Sequence, residues 1–146
     1  MGDTFARLVY HIVFSTKYRE PLITDAVRER LYQYIGGILR GEGGSLLEAG
    51  GMPDHVHLLA RLKPVEAVAV MVRRIKSNSS NWMKQIPEVG ARFSWQIGYG
   101  AFSVSESQIE IVRRYIRNQE HHHAKRTFED EMNALLRKYR LRPEEP

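Results

Sequence analysis

The stretch 50-GGMPDHVHLLARL-62 sets the terms for reading this chain. A Met-Pro-Asp turn leads into a short run, 55–62, that reads as a strand. Side chains on a strand alternate faces, so His55 and His57 share one face while Val56 and Leu58 take the other. Two imidazoles placed this way stand roughly 6–7 Å apart, near enough for both to reach one cation. Two half-exposed histidines beside a turn would leave the same pattern. Context favours the cation. The pair sits at the start of the strand, behind Pro53-Asp54, and Val56, Leu58 and Leu59 anchor that strand in a core. Asp54 can accept a hydrogen bond from a ring and orient it, although Asp after Pro is also an ordinary turn residue.

Working outward, SLLEAGG (45–51) reads as the strand paired with 55–62. Upstream, FARLVYHIVFST (5–16) alternates Leu8, Tyr10, Ile12 and Phe14 with Val9, His11 and Val13, and predicts a first strand. Thr24 or Asp25 caps a helix running through VRERLYQYIGGIL and ending in the glycines of 41-GEGG-44. Pro64 opens a helical pattern reaching about Ile86, with Val68, Met71, Val72 and Ile75 on one side. FSWQIGYGAFSVS (93–105) reads as a strand punctured by Gly98 and Gly100. Ser105 and Gln108 form a capping-box pattern for the helix SESQIEIVRRYIRNQEHH, and a last helix runs from about Thr127 to Tyr139. The order β-α-β-β-α-β is that of an α+β, ferredoxin-like (split βαβ) fold. It predicts an antiparallel sheet with helices on one face and a further, C-terminal helix.

Length and composition narrow the function. The 146 residues, 42% of them hydrophobic, fit one domain with a proper core. The expected division is a core of about 6–125 and a C-terminal helix of about 127–140. Without cysteine there are no disulfides, thiolate metal sites or thiol nucleophiles. That usage fits a reducing, cytoplasmic location. No run has the roughly 18–20 uncharged residues of a membrane span, and the N-terminal apolar stretch, broken by Arg7 and His11, reads as a strand rather than a signal peptide. The formal net charge of +5 favours a polyanionic partner.

In 112-VRRYIRNQEHHH-123, Tyr115 and Gln119 are four apart and project from one helical face. Gln119 offers a carbonyl oxygen to a cation and Tyr115 a phenol. A tyrosine edging the stripe Ile109, Val112, Ile116 is ordinarily core packing with its hydroxyl in water. Beside a metal site it is also a competent covalent nucleophile toward a phosphodiester. The chain resembles the single-tyrosine HUH transposases of bacterial insertion sequences, including the repeat-associated tyrosine transposases. His55-Val56-His57 matches the histidine–hydrophobic–histidine motif and VRRYIRNQEHH the tyrosine helix. KSNSSNWM (76–83) and WQIGYGAFSVSES (95–107) are similar to family segments, so the likeness spans about residues 6–140.

The resemblance implies a metal-dependent enzyme that cuts and rejoins single-stranded DNA at hairpin-containing ends. Tyr115 would be the nucleophile, forming a 5′-phosphotyrosine. His55, His57 and Gln119 would hold one divalent cation, Mg²⁺ or Mn²⁺. The family forms homodimers in which the tyrosine helix can complete the partner's site, and Gly98 and Gly100 supply backbone freedom for that placement. DNA contacts are expected from Arg73, Arg74, Lys76 and Ser77, with Asn78, Ser79 and Ser80 beyond them, and from Arg113, Arg114 and Arg117. Lys125 and Arg126 follow. Trp95 and Tyr99 are candidates to stack unpaired bases. Of His121, His122 and His123, at most one or two can face the site, and His122 reads as a helix-end cation. His11 has no role in this reading.

Three other readings compete. A histidine-triad hydrolase needs a further histidine where Leu59 stands. A small zinc hydrolase needs more acidic or histidine ligands and has no use for Tyr115. A non-catalytic, domesticated ferredoxin-like module that binds repeat hairpins is the remaining alternative.

Overall fold

The computed structural model describes residues 2–123 and 126–141, the side chain of His122 excepted. Strands β1 (Leu8–Ser15), β2 (Ser45–Met52), β3 (His55–Leu62) and β4 (Gly100–Ser103) form one antiparallel sheet in the order β2-β3-β1-β4. Helices α1 (Asp25–Gly41) and α2 (Val68–Lys84) make the crossovers, and α3 (Ile109–Arg117), α4 (Gln119–His123) and α5 (Phe128–Lys138) follow β4. This is the expected ferredoxin-like arrangement. Among the described residues no helix is long and apolar enough to cross a membrane.

Alternation along the central strands divides the interior into two layers. Ile12, Phe14, Val56, Leu58 and Ala60 point to the face covered by α1 and α2, where they meet Val27, Leu31, Ile35, Leu39, Val72 and Ile75. Val9 and Leu59 point to the other face and pack on Ile109, Val112 and Ile116 of α3. Each such side chain, fully buried, contributes roughly 1.5–3 kcal/mol. The crossover helices thus lie on one face as expected, and the tyrosine-bearing helix covers the opposite one. β3 is therefore buried on both sides, and His55 and His57 are wholly enclosed.

Several boundaries differ from the sequence reading. α2 begins at Val68, four residues after Pro64. Only Gly100–Ser103 of the expected 93–105 strand pairs with β1. Residues before it form a loop pinned by buried Phe93 and Trp95, by a bridge between Thr16 and Trp95, and by Gly98 at φ 96°. The Ser105–Gln108 capping box does not form. Residues Glu106–Gln108 make a 3-10 turn and α3 starts at Ile109. Thr127 and Asp130 form such a box instead, at the head of α5. The expected continuous helix through 105–122 breaks at Asn118 (φ −100°, ψ 29°), separating α3 from α4.

One register detail positions α3. A bulge between Leu46 and Glu48 sets Gly50 opposite His57. Without that extra residue Ala49 would take the place. A Cβ at Gly50 would lie 2.1 Å from the Ile116 carbonyl oxygen, which is backbone and cannot swing aside. Gly50→Ala should therefore cost roughly 1–3 kcal/mol in urea unfolding, the usual range for overpacking. Gly41→Ala, with nothing within 4 Å, should be neutral or slightly stabilising, and equal losses for both would refute the close-approach argument.

Candidate functional site

His55 and His57 open β3 beneath α3, and each ring is held at its Nδ1. His55 Nδ1 donates to Asp54 Oδ1 at 2.8 Å, and Arg19 Nε donates to the other Asp54 oxygen at 3.4 Å. Phe128 stacks flat on the His55 ring, 4.4 Å between centroids, and the Arg19 guanidinium lies over Phe128. His57 Nδ1 meets the buried Nε2 of His11 at 2.7 Å. The outward nitrogens of both histidines face one carboxylate, Glu131 of α5, whose Oε1 is 2.7 Å from His57 Nε2 and 3.5 Å from His55 Nε2.

The same carboxylate holds the expected nucleophile. Tyr115 is half-buried on α3, its ring 5.9 Å from that of His57, and its hydroxyl donates to Glu131 Oε2. Gln119 Nε2 donates to that oxygen at 3.0 Å, while Gln119 Oε1 faces His55 Nε2 at 3.3 Å. His123 Nε2 lies 3.3 Å from Glu131 Oε1. Of the three consecutive histidines, His123 therefore joins the cluster, while the His122 side chain and Lys125 lie outside the described residues.

Glu131 is the residue that sequence reasoning missed. Its neighbours give a sign of it: Phe128, Glu131 and Leu135 fall three and four apart on one face of α5, so an acid interrupts an apolar stripe. It is 1% exposed. Burial alone would raise its pKa, but hydrogen bonds from His55, His57 and Tyr115 and the nearby imidazoles hold it far below the usual carboxylate range. Tyr115 is pushed above the ordinary phenol value, by burial first and then by Glu131. His57 is lowered, chiefly by burial. His55 is raised: burial pulls it down, but its hydrogen bonds to Asp54 and Glu131 prevail.

These environments bear on a cation. Asp54 can only accept, so His55 keeps a proton on Nδ1 and turns Nε2 toward two acceptors, Gln119 Oε1 and Glu131 Oε1. Electron pairs converge there, and only a positive charge relieves them. A second proton on His55 serves, and Glu131, after Asp54, favours it. A divalent cation serves equally. His55, His57 and Glu131 each offer a ligand atom, all within 4.8 Å of one another. Donors roughly 2.0–2.2 Å from a common ion stand about 3–3.5 Å apart; Glu131 Oε1 is 2.7 Å from His57 Nε2 and 3.5 Å from His55 Nε2, so small side-chain shifts would let this set hold such an ion. Two imidazoles, a carboxylate and an amide oxygen are a nitrogen-oxygen set suited to several divalent metals.

The candidate DNA residues separate. Arg73 and Ser77 are exposed on α2 and line, with Lys76, Ser80, Ile97 and Tyr99, an open groove of about 420 Å³. Lys76 Nζ donates to the Gln96 and Gly98 carbonyls at 2.6 and 2.8 Å, and Arg74 is engaged by Glu42 and Glu66 at 2.8 and 3.2 Å. Trp95 is in the core, donating to the buried Ser79 hydroxyl and set edge-on to Phe14 and Phe93. Neither Trp95 nor Ser79 is placed to meet DNA, because both are buried. Arg113 pairs with Glu110 and Arg117 with Glu48, at 3.6 and 3.0 Å, and Arg114 is exposed.

The model of the family described as "Transposase IS200 like" matches residues 4–119. The chain belongs to the IS200-like transposases. It is 28% identical over 118 residues to the ISDra2 transposase TnpA of Deinococcus radiodurans, covering 77% of this chain and 84% of that one. It is 26% identical over 115 residues to the transposase of insertion sequence element IS200 from Salmonella typhimurium, covering 75% of each. A solved structure of a transposase from Deinococcus radiodurans superposes with a TM-score of 0.62 at 29% identity, over 82% of this chain and 96% of that one. A REP-associated tyrosine transposase solved on a REP hairpin shares the fold, with a TM-score of 0.57 at 14% identity over 81% and 72%. In this IS200-like transposase, Glu131 lies beyond the matched residues.

The proton argument gives an expected pH dependence. The His55 pKa lies above its ordinary 6.5, its hydrogen bonds to Asp54 and Glu131 outweighing burial, so protons and a cation compete for its Nε2. Mn²⁺ affinity, followed by calorimetry, should weaken as pH falls, approaching about tenfold per unit once His55 is protonated. Identical affinity at pH 8 and pH 6 would remove His55 from the ligand set.

Proposed function

We propose that this transposase cuts and rejoins single-stranded DNA at hairpin-containing ends through a 5′-phosphotyrosine on Tyr115. One divalent cation, Mg²⁺ or Mn²⁺, would be held by His55, His57, Gln119 and Glu131. A single observation carries the reading: the Tyr115 hydroxyl and both histidine Nε2 atoms converge on the same buried carboxylate. Nucleophile and cation site are thus within one residue's reach of each other.

The chain's own groups account for much of the reaction. Tyr115 lines a cavity of about 210 Å³ that also exposes His11, Arg126, Glu131 and Lys138. Arg126 and Lys138 bring positive charge to an entering phosphate. The phenol oxygen attacks phosphorus in line as its proton passes to Glu131 Oε2, the P–O3′ bond breaks, and the 3′ oxygen leaves and takes up a proton from water. Glu131 holds the hydroxyl hydrogen, which leaves the oxygen's lone pairs free to turn toward the phosphate. A cation bound there would polarise a non-bridging phosphate oxygen and offset the Glu131 charge that disfavours a phenolate. Since the phosphotyrosine keeps the ester's energy, a 3′ hydroxyl can reverse the step and reseal without ATP. A homodimer remains the expected assembly from family likeness.

Tyr115→Phe should fold and bind hairpin DNA as before but form no covalent adduct. His57→Ala and Gln119→Ala should keep the nucleophile, lose at least ~10²-fold in rate and recover partly in excess Mn²⁺. The measurement is a denaturing protein gel after incubation with end-labelled single-stranded hairpin DNA, a REP hairpin being a suitable first probe. Label on the 3′ fragment should stay with the protein, and an adduct from Tyr115→Phe would rule the mechanism out.

The groove on α2 gives a separate expectation. Arg73→Ala should weaken DNA binding across sequences and flatten the log–log salt dependence by roughly 0.7, the value per single-strand phosphate contact. Arg74→Ala should leave that slope nearly unchanged, because Glu42 and Glu66 already occupy its guanidinium. Equal slopes for Arg73→Ala and wild type would place the DNA elsewhere.

A further inference from the structure

His11 is 2% exposed in the middle of β1, and the function described so far does not use it. It pairs across the ladder with Leu59, which puts it diagonal to His57 on the face covered by α3. Its ring lies 5.0 Å from the His57 ring and 6.1 Å from that of Tyr115. An imidazole in this apolar layer costs free energy that a leucine would not, so its hydrogen bond to His57 calls for an explanation.

The two histidines of β3 are held by partners of different chemistry. Asp54 only accepts, which fixes the proton of His55 on Nδ1 and leaves Nε2 to face the site. His11 can donate or accept. Where Glu131 Oε1 accepts from His57 Nε2, at 2.7 Å, a neutral His57 has a bare Nδ1 and His11 Nε2 must carry the proton between them. For His57 Nε2 to ligate a metal, that proton must sit on Nδ1, and His11 must then accept. Metal-bound histidines almost always donate their other ring N–H to such a partner, and losing it typically costs 10–100-fold in affinity.

The geometry points to His11 as the positioning residue of His57, a partner able to reverse its hydrogen bond so that His57 can pass between its Glu131-bound and metal-bound tautomers. The inference rests on the metal reading above. A carboxylate at position 11 could not donate to a bare Nδ1, and an apolar side chain could do neither. Glutamine, with an amide that donates or accepts on flipping, could do both.

The test titrates Mn²⁺ into the full chain, without DNA, for wild type, His57→Ala, His11→Leu and His11→Gln. Nitrogen-15 imidazole spectra of the wild type with and without Mg²⁺ accompany it. His57→Ala should abolish or strongly weaken binding, His11→Leu should lose about 10–100-fold, and His11→Gln should stay within a few-fold of wild type. In the spectra, Mg²⁺ should move the His57 proton from Nε2 to Nδ1 and the His11 proton from Nε2 to Nδ1. Should His11→Leu fail to fold, the spectra alone decide, and a His11 Nε2 that stays protonated at saturating Mg²⁺ overturns the assignment. Wild-type affinity in His11→Leu, alongside loss in His57→Ala, overturns it while sparing the metal reading. Equal losses in His11→Leu and His11→Gln make His11 a packing residue only. If His57→Ala binds Mn²⁺ like wild type, the metal reading fails, and this assignment with it.

Discussion

A strand covered on both sides cannot carry two imidazoles on one face unless every polar atom finds a partner. That constraint on β3 organises much of this protein. Apolar layers take Val56, Leu58 and Leu59, while His55 and His57 must be satisfied inside the layer beneath α3. Asp54, His11, Gln119 and Glu131 satisfy them, each from a different element. α3 can approach closely because Gly50 has no side chain to hold it off. The same close approach brings Tyr115 to the histidines.

Glu131 stands at the centre of the electrostatics. It is buried among groups that donate to it, so it stays charged, and its charge in turn raises Tyr115 and His55. A site of this kind concentrates negative charge and lone pairs in a small volume while making the phenol harder to ionise. Both properties suit a centre completed by a cation, since one positive charge relieves the crowding and the ionisation penalty together. In the mechanism proposed above, that would tie the reactivity of Tyr115 to a bound cation.

Much of the chain's positive charge is spent internally. Arg19, Arg28, Arg74 and Arg117 pair with carboxylates, and Lys76 ties the loop before β4 to α2. A cluster such as Arg73, Arg74, Lys76 looks uniform as a string, yet its members face different surroundings. Only position on the helix and nearby acids distinguish a cation offered to a phosphate from one holding the fold.

By itself the sequence determined the order of the elements, the pairing of 45–51 with 55–62, the shared face of His55 and His57, and the spacing of Tyr115 and Gln119. These follow from local periods of two and near four, which neighbouring residues set among themselves. It also carries the motifs that mark the family. Tertiary structure alone decided the rest. The bulge at Leu47 that exchanges Ala49 for Gly50 opposite His57 leaves no local mark, because it is fixed by α3 pressing on the strand. Trp95 and Ser79 read as surface candidates and proved to be core, since burial depends on segments far away in the chain. Glu131 and His11 lie 74 and 46 residues from His57. No local pattern could bring either of them to it, and only the packing of α5 and β1 against β3 does so.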